Sequence, residues 1–497
     1  MLTLATLSLS PYAMMINIGI MGHVDSGKTS LAKWLSCQAS TAAFDKSPAS
    51  QERGITLDLG FSRVDLNNGD PSSYGTIVDC PGHGSLIRHV IGGAAVMDAA
   101  MIVIDAQRGV QTQTAECIVL AELAISQVVI VVNKIDLLGD VDLAVKRIKR
   151  QLEHTAFKDS PIVLVSAKMD IGKQALIDQL SELTMKKRDR SKPLLIAIDH
   201  GFIVKKGCVV TGTILQGHVK VNDQVIIPEI GNPCKVKSIQ SFKTSLMEAH
   251  AGDRVGISLE GPVVKIERSV AYKPNDQSLK MSDCFLMKAR RVKYFKSPLH
   301  SSQKIHISIL HETVLCRQVI FVKEHPNGEY EWLDGLEDTE MDLQAIVMLD
   351  APIPVPRGIM CIASKLDMPV DTKACRIAFY GEIIENNLVL DDFPVFKSKL
   401  KETTIDRIVD NKRVIAKPFP DCMLINKYVG WRVRIGNTID AIIQSAFGQS
   451  GKFNLQLLGG DGSTTLNTND PIRMHYKRYP LRKGKPAMQD PGHHDVV

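Results

Sequence analysis

Residues Gly22–Thr29 read GHVDSGKT. Two glycines five residues apart, followed at once by lysine and a hydroxyl residue, form a loop whose backbone N–H groups can converge on phosphate oxygens. The flanks fit that reading. INIGIM before it has the texture of a buried strand, and KTSLAKWL after it opens as a helix whose N-terminal dipole favours an anion. His23, Val24, Asp25, Ser26 and Gly27 would line the loop. Lys28 would reach the β- and γ-phosphates, and the Thr29 hydroxyl would face Mg²⁺. A strand, a phosphate loop and a helix in that order predict an α/β nucleotide-binding domain.

Outward from this loop, strand and helix signals alternate from Met15 to about Met185. GTIVDC, AAMIVIDA, VVIVVN and PIVLVSA read as buried strands, and LAKWLS, TAECIVLAELA and VDLAVKRIKRQLEHT as helices. This is the pattern of a mostly parallel sheet covered on both faces. Three further motifs end predicted strands, where ligands bind in such sheets. In DCPGH, Asp79 suits a carboxylate that reaches Mg²⁺ through water, and Gly82 lets the backbone approach the γ-phosphate. In NKID, the Asp136 carboxylate can accept from the two adjacent N–H groups of guanine, an edge adenine lacks, while Asn133 and Lys134 shape the base pocket. In SAK, Ser166, Ala167 and Lys168 offer a backbone donor to the guanine oxygen. The expected ligands are GTP and GDP with Mg²⁺.

At 497 residues the chain is too long for one core. MKKRDRSKP, 185–193, reads as a solvated linker. Beyond it, short strands and Gly, Asn and Asp turns give barrel texture in three blocks. The expected organisation is an extension at 1–14, a GTP-binding domain at 15–190, barrels at 191–284 and 285–392, and a basic β domain with a flexible tail at 393–497. The fold class is thus an α/β P-loop GTPase domain followed by three β-barrel domains. No apolar run approaches the ~20 residues of a membrane helix. The opening residues lack the basic start of a secretory signal and the arginines of a transit peptide. Ten scattered cysteines without a C-x-x-C pair argue against zinc and disulfides. The expected location is the cytoplasm, with the nucleus left open, and the expected state is a monomer away from membranes. Residues 401–497 hold 15 Lys and Arg against 9 Asp and Glu, which accounts for the whole net charge of +6. That asymmetry points to a polyanion such as RNA. Lys427, Arg432, Arg434 and Lys452 are the candidates, and Tyr428, Trp431 and Phe453 either stack on bases or fill a barrel core.

The ordered motif set resembles the translational GTPases of the elongation factor Tu class. RGIT, Arg53–Thr56, matches their first switch, and the resemblance implies that Thr56 completes the Mg²⁺ shell. It also implies that His83 orients the attacking water and that Val24 and Ile55 form the apolar gate before it. STAAFDKSPASQERGITLDLGF (40–61), DCPGHGSLIRHVIGGAAVMD and SAFGQSGKFNL (445–455) resemble the eukaryotic-type selenocysteine-specific elongation factors more closely. That resemblance, spanning roughly 16–479, implies delivery of selenocysteinyl-tRNA to the ribosome at recoded UGA codons, with GTP hydrolysed on docking. For the fourth domain it implies the selenocysteine-insertion RNA hairpin or its binding protein as a partner.

In PLLIAIDHGFIVKKG, 193–207, an acid and an imidazole interrupt an apolar strand. The family resemblance assigns Asp199 and His200, with Arg254 from AGDRVGI, to the pocket for the amino acid. A selenol is more acidic than a thiol, so an arginine and a chargeable histidine would favour it over serine. Asp199 would hold the cargo's amino group or raise the pKa of His200. Two rival readings share the nucleotide motifs: a carrier of initiator tRNA like initiation factor 2 gamma, and the GTPase subunit of a sulfate-activating enzyme.

Overall fold

The computed structural model of the chain describes residues 15–39, 58–66, 74–204, 207–262, 264–337, 342–369, 374–391, 393–420, 425–436, 438–458, 466–482 and 488–489. The expectations for the extension at 1–14, the switch RGIT and the end of the tail lie outside these residues. The chain divides into two compact units. One holds residues up to Ile320 plus Gly335–Leu388, and the other holds Phe321–Asp334 plus Val389 onward.

The first unit opens with a seven-stranded sheet of β1 (Ile16–Gly22), β2 (Ser36–Ala39), β3 (Gly60–Asp65), β4 (Tyr74–Asp79), β5 (Ala99–Asp105), β6 (Gln127–Asn133) and β7 (Ile162–Leu164). Their order is β2-β3-β4-β1-β5-β6-β7. β4, β1, β5, β6 and β7 run parallel, and β2 and β3 form an antiparallel edge. Continuous apolar runs suit strands covered on both faces. Ile18, Ile20, Met101, Val129 and Val131 are wholly buried there, packed with Leu31 and Leu176 from helices.

The run 185–193 is irregular and largely exposed, as read, but two of its basic side chains are held. Arg188, half-buried, pairs with the fully buried Asp98 at 2.7 Å. Lys186 donates to the Ala124 carbonyl at 2.6 Å, and burial lowers its pKa. Two of the basic residues thus fasten the segment to the first domain.

β8 (Leu195–Val204) and β9 (Gly207–Gln216) start the first barrel, whose core is Ile196, Ile198, Val210, Val255 and Ile257. The register of β8 on β9 slips between Ile198 and His200, leaving Asp199 without a partner across the ladder. Such a bulge breaks the two-residue alternation and re-aims a side chain. It lets the strand bury Asp199 while His200 stays partly open. The next barrel contributes Leu279–Lys288, His306–Ile309, Gln344–Pro356, Met360–Ser364 and Ile377–Glu385.

The second unit is all-β. The strands Val395–Asp410, Arg413–Ala416, Arg432–Ile435, Ile439–Phe447, Lys452–Leu458 and Pro471–Arg478 surround Phe453, Leu455, Ile443 and Phe419. Tyr330–Leu333 pairs in parallel with the first of these, so part of the 285–392 stretch packs with this unit. Of the two readings for its aromatics, the core reading holds. Phe453 is fully buried and stacked on Phe419 at 5.0 Å, and Tyr428 and Trp431 pack edge to face at 4.9 Å against the same core. Lys427 and Arg432 are exposed, whereas Arg434 pairs with Asp440 and Lys452 with Asp406. Among the described residues no helix is long and apolar enough to cross a membrane.

Candidate nucleotide and aminoacyl sites

β4, β1, β6 and β7 deliver their motifs to one edge of the sheet. Gly27, at φ +91°, is the left-handed turn before the helix Lys28–Leu35. Its missing Cβ would stand 2.3 Å from the Asn133 amide nitrogen. Glycine there lets Asn133 donate to the Ser26 carbonyl at 3.0 Å, while the Asn133 Oδ1 accepts from Ala167 N at 3.3 Å. Lys134, itself at φ +66°, donates to the Asp25 carbonyl at 2.5 Å and pairs with Asp105 at 2.9 Å. These bonds stitch the three loops into one frame. Asp136 is exposed, and its Oδ1 accepts from Ser166 Oγ at 2.5 Å. Lys168 is also exposed.

Lys28 is buried, donating to the His23 carbonyl at 2.6 Å, and burial pulls its pKa down. A Cβ on Gly82 would fall 2.2 Å from its ammonium and 3.0 Å from Val24 N, so a larger residue would displace the Lys28 side chain. A buried cation on a single carbonyl, rimmed by left-handed glycine, is a seat for phosphate. Burial, and then the charge of Lys28, keep the imidazole of His23 below its usual pKa. Ser26 and Asp79 are buried beside the loop, and Thr29 is half-buried. Val24 is half-buried as well. Thr56 and Ile55 lie outside the described residues. The Thr29 hydroxyl and the Asp79 carboxylate are oxygen donors of the kind a hard cation such as Mg²⁺ takes, and among the described residues no cluster of three or more His, Cys, Asp and Glu is found.

His83 is exposed. It caps the short turn Gly84–Leu86, with Nδ1 2.8 Å from Ser85 Oγ and accepting from Ser85 N at 3.3 Å. Sequence reading missed what holds this turn. Arg376 of the 285–392 barrel donates from Nη2 to the Gly84 carbonyl at 2.8 Å and grips Glu116 through two further bonds at 2.7 and 2.8 Å. Both side chains are buried. A glutamate within the apolar helix Thr112–Ala124 was the one available signal of a buried partner.

The second site lies where the first barrel meets the GTP-binding domain. The Arg254 guanidinium spans both oxygens of Asp199, with Nη2–Oδ1 at 2.8 Å, and lies 3.3 Å from the centroid of Phe61. Asp199 and Arg254 are 3% and 4% exposed, so the pair is fully interior. Asp199 also contacts His200 Nδ1 at 2.8 Å and accepts from Thr211 at 3.0 Å. Burial opposes ionisation of Asp199, and the charge and hydrogen bonds of Arg254 override it, holding the carboxyl well below the usual range. Of the two roles read for Asp199, these bonds supply the tuning of His200. Burial would depress that imidazole, but hydrogen bonds to Asp199 and Asp58 outweigh it and lift its pKa to about 9.

Asp58 and Arg268 were missed in the sequence. Asp58 Oδ2 lies 3.3 Å from His200 Nε2, and Arg268 Nη2 reaches Asp58 Oδ1 at 2.5 Å. These groups edge a cleft of about 560 Å³ completed by His311. His311 is buried, and burial lowers its pKa to about 4, so it is neutral at pH 7.

A P-loop sheet with guanine-type motifs, followed by barrels, defines a translational GTPase. Residues 13–186 match the elongation factor Tu GTP binding domain, and 207–268 match elongation factor Tu domain 2. Residues 286–343 and 334–381 match the third domain of the eukaryotic selenocysteine-specific elongation factor, and 392–491 the eEFSec C-terminal RIFT domain. The mouse selenocysteine-specific elongation factor is 38% identical, over 90% of this chain and 88% of that protein. Its counterpart from Methanocaldococcus jannaschii is 36% identical, over 90% and 96%. The structure of the elongation factor SelB from Methanococcus maripaludis with the GTP analogue GPPNHP superposes with a TM-score of 0.74 at 29% identity, covering 94% and 99% of the two chains. The chain belongs to the selenocysteine-specific elongation factors, and it is a GTP-dependent translation factor with GTPase activity. The initiator-tRNA carrier and the sulfate-activating subunit are thereby set aside.

One consequence concerns the base. If Asp136 accepts from guanine as the motif implies, Asp136→Asn would put a donor opposite the base N–H groups, and hydrogen bonds to a charged partner carry about 1.5–3 kcal/mol. GDP affinity, read by displacement of a fluorescent analogue, should fall about 10- to 100-fold. Unchanged affinity would remove Asp136 from the base pocket.

Proposed function

We propose that this chain, loaded with GTP, carries selenocysteinyl-tRNA to the ribosome at recoded UGA codons, and that Asp199, His200 and Arg254 form its amino-acid pocket. Mg²⁺ would be held by Thr29, by Thr56 and, through water, by Asp79, neutralising phosphate charge. His83 orients the attacking water once docking releases it past the Val24–Ile55 gate, since phosphoryl transfer needs positioning more than covalent chemistry. The basic fourth domain binds the selenocysteine-insertion hairpin or its binding protein. The chain works as a monomer in the cytoplasm.

The observation that carries the pocket is the placement of His200 at the cleft wall between two carboxylates, Asp199 at 2.8 Å and Asp58 at 3.3 Å, which favour its charged form. An imidazolium at neutral pH favours a selenolate, while a seryl hydroxyl offers it no charge. The test is the affinity of the full chain, with a GTP analogue, for one tRNA charged with selenocysteine or with serine. A preference of about tenfold or more is expected from one charge-assisted bond. It should shrink as pH rises through about 9, where His200 loses its proton while the selenolate keeps its charge. Equal affinities would reject the pocket.

A further inference from the structure

The pocket is built in two tiers. Behind, Arg254 and Asp199 neutralise each other in the interior. In front, at the open mouth, His200 and Arg268 are both engaged by a carboxylate that does not belong to the barrel. Asp58 comes from the GTP-binding domain, just ahead of β3, and its side chain is 43% exposed. Lys265, on the same rim, pairs with Glu267 at 2.6 Å. The two barrel cations that point at Asp58 are thus already bridged by a carboxylate of this chain, and an arriving anion has to take its place.

We infer that Asp58 is the pocket's own ligand, and that the cargo's anionic tip binds by replacing it on His200 and Arg268. The inference rests on the pocket reading above. Exchange of one anion for another keeps both cations paired. A neutral hydroxyl in that seat would leave Arg268 without its Asp58 partner and His200 with Asp199 alone in a partly buried cleft. Serine cargo therefore binds through the tRNA body with Asp58 still in place, and Asp58 acts as a competitor that weakens anionic cargo alone and so moderates the preference for it. The front tier suits exchange better than the rear one. The His200–Asp58 contact is long, at 3.3 Å, and solvent reaches both partners, whereas the Arg254–Asp199 pair is closed off.

Asp58→Asn keeps the shape and removes the competing charge. In the full chain loaded with a GTP analogue, affinity for tRNA charged with selenocysteine should rise about tenfold, as one charge-assisted contact is no longer displaced. Affinity for the same tRNA charged with serine should stay within about threefold. Asp58→Glu, which retains the anion, should stay within about threefold of wild type for both. Weaker selenocysteine binding in the Asn variant would make Asp58 a contributor to cargo binding and overturn the inference. An equal change for both cargoes, no change for either, or a Glu variant that behaves like the Asn variant would overturn it as well. Wild type is measured alongside. If it does not discriminate, the pocket itself fails. If it discriminates and the Asn variant does not sharpen the preference, only the role of Asp58 fails.

Discussion

Arg254→Ala should destabilise the first barrel by about 3–5 kcal/mol, because it strands the buried Asp199 carboxylate without its counter-ion. From sequence, Arg254 reads as a cation offered to the cargo, and its loss would cost only selectivity. The structure places it behind the cleft, 4% exposed, with its donors on Asp199 and its face on Phe61 of β3. Removing it deletes the guanidinium that keeps Asp199 ionised, leaving a charge that desolvation penalises. The stacked guanidinium also joins the barrel to the sheet of the GTP-binding domain, so its loss loosens that junction. Thermal unfolding of the full chain should show the transition of the barrel falling by roughly 10 °C or more. The double variant Asp199→Asn with Arg254→Met, which removes both charges and keeps the volume, should recover most of that loss. If the single variant melts like wild type, the pair does not carry a buried charge. If the double variant is as unstable as the single one, packing rather than charge is the cause.

That revision marks where the sequence stops being informative. The strand-end placement of the phosphate loop, Asp79, Asn133 and Ser166 was legible because these motifs are short contiguous runs, and β1, β4, β6 and β7 put their ends side by side. The adjacency of Asp199 and His200 was legible, but its meaning was not. A one-residue slip in the ladder decides that the acid goes inward and the imidazole stays at the cleft, and a bulge leaves no mark in the pattern of apolar residues. Asp58, Arg268 and His311 were invisible because they come from three distant segments and meet only through packing. The basic run at 185–193 misled for the opposite reason. Composition alone makes it a loop, and only Asp98 and the Ala124 carbonyl, far away in sequence, turn two of its residues into anchors.

His83→Ala should lower ribosome-stimulated GTP hydrolysis by about 10²–10⁴-fold, the usual weight of a side chain that positions or shuttles in the transition state. In the present arrangement the His83 ring is tied to its own turn by Ser85, through the hydroxyl at 2.8 Å and the amide at 3.3 Å. Each such bond contributes about 0.5–1.5 kcal/mol net, so swinging the ring toward a nucleotide costs little. The backbone beneath it does not follow, because Arg376 fixes the Gly84 carbonyl and is itself locked on Glu116 in the interior. A side chain free to reorient on a fixed turn is what a docking-triggered step needs. The hinge is χ rotation, and the distance from turn to phosphate stays set by the barrel that supplies Arg376. Single-turnover hydrolysis with saturating ribosomes should therefore collapse in the alanine variant, while GDP affinity, assigned by motif to Lys28, Asn133 and Asp136, should stay within about threefold. Hydrolysis at the wild-type rate would show that the attacking water is oriented by another group and that the capping turn around Ser85 is structural only.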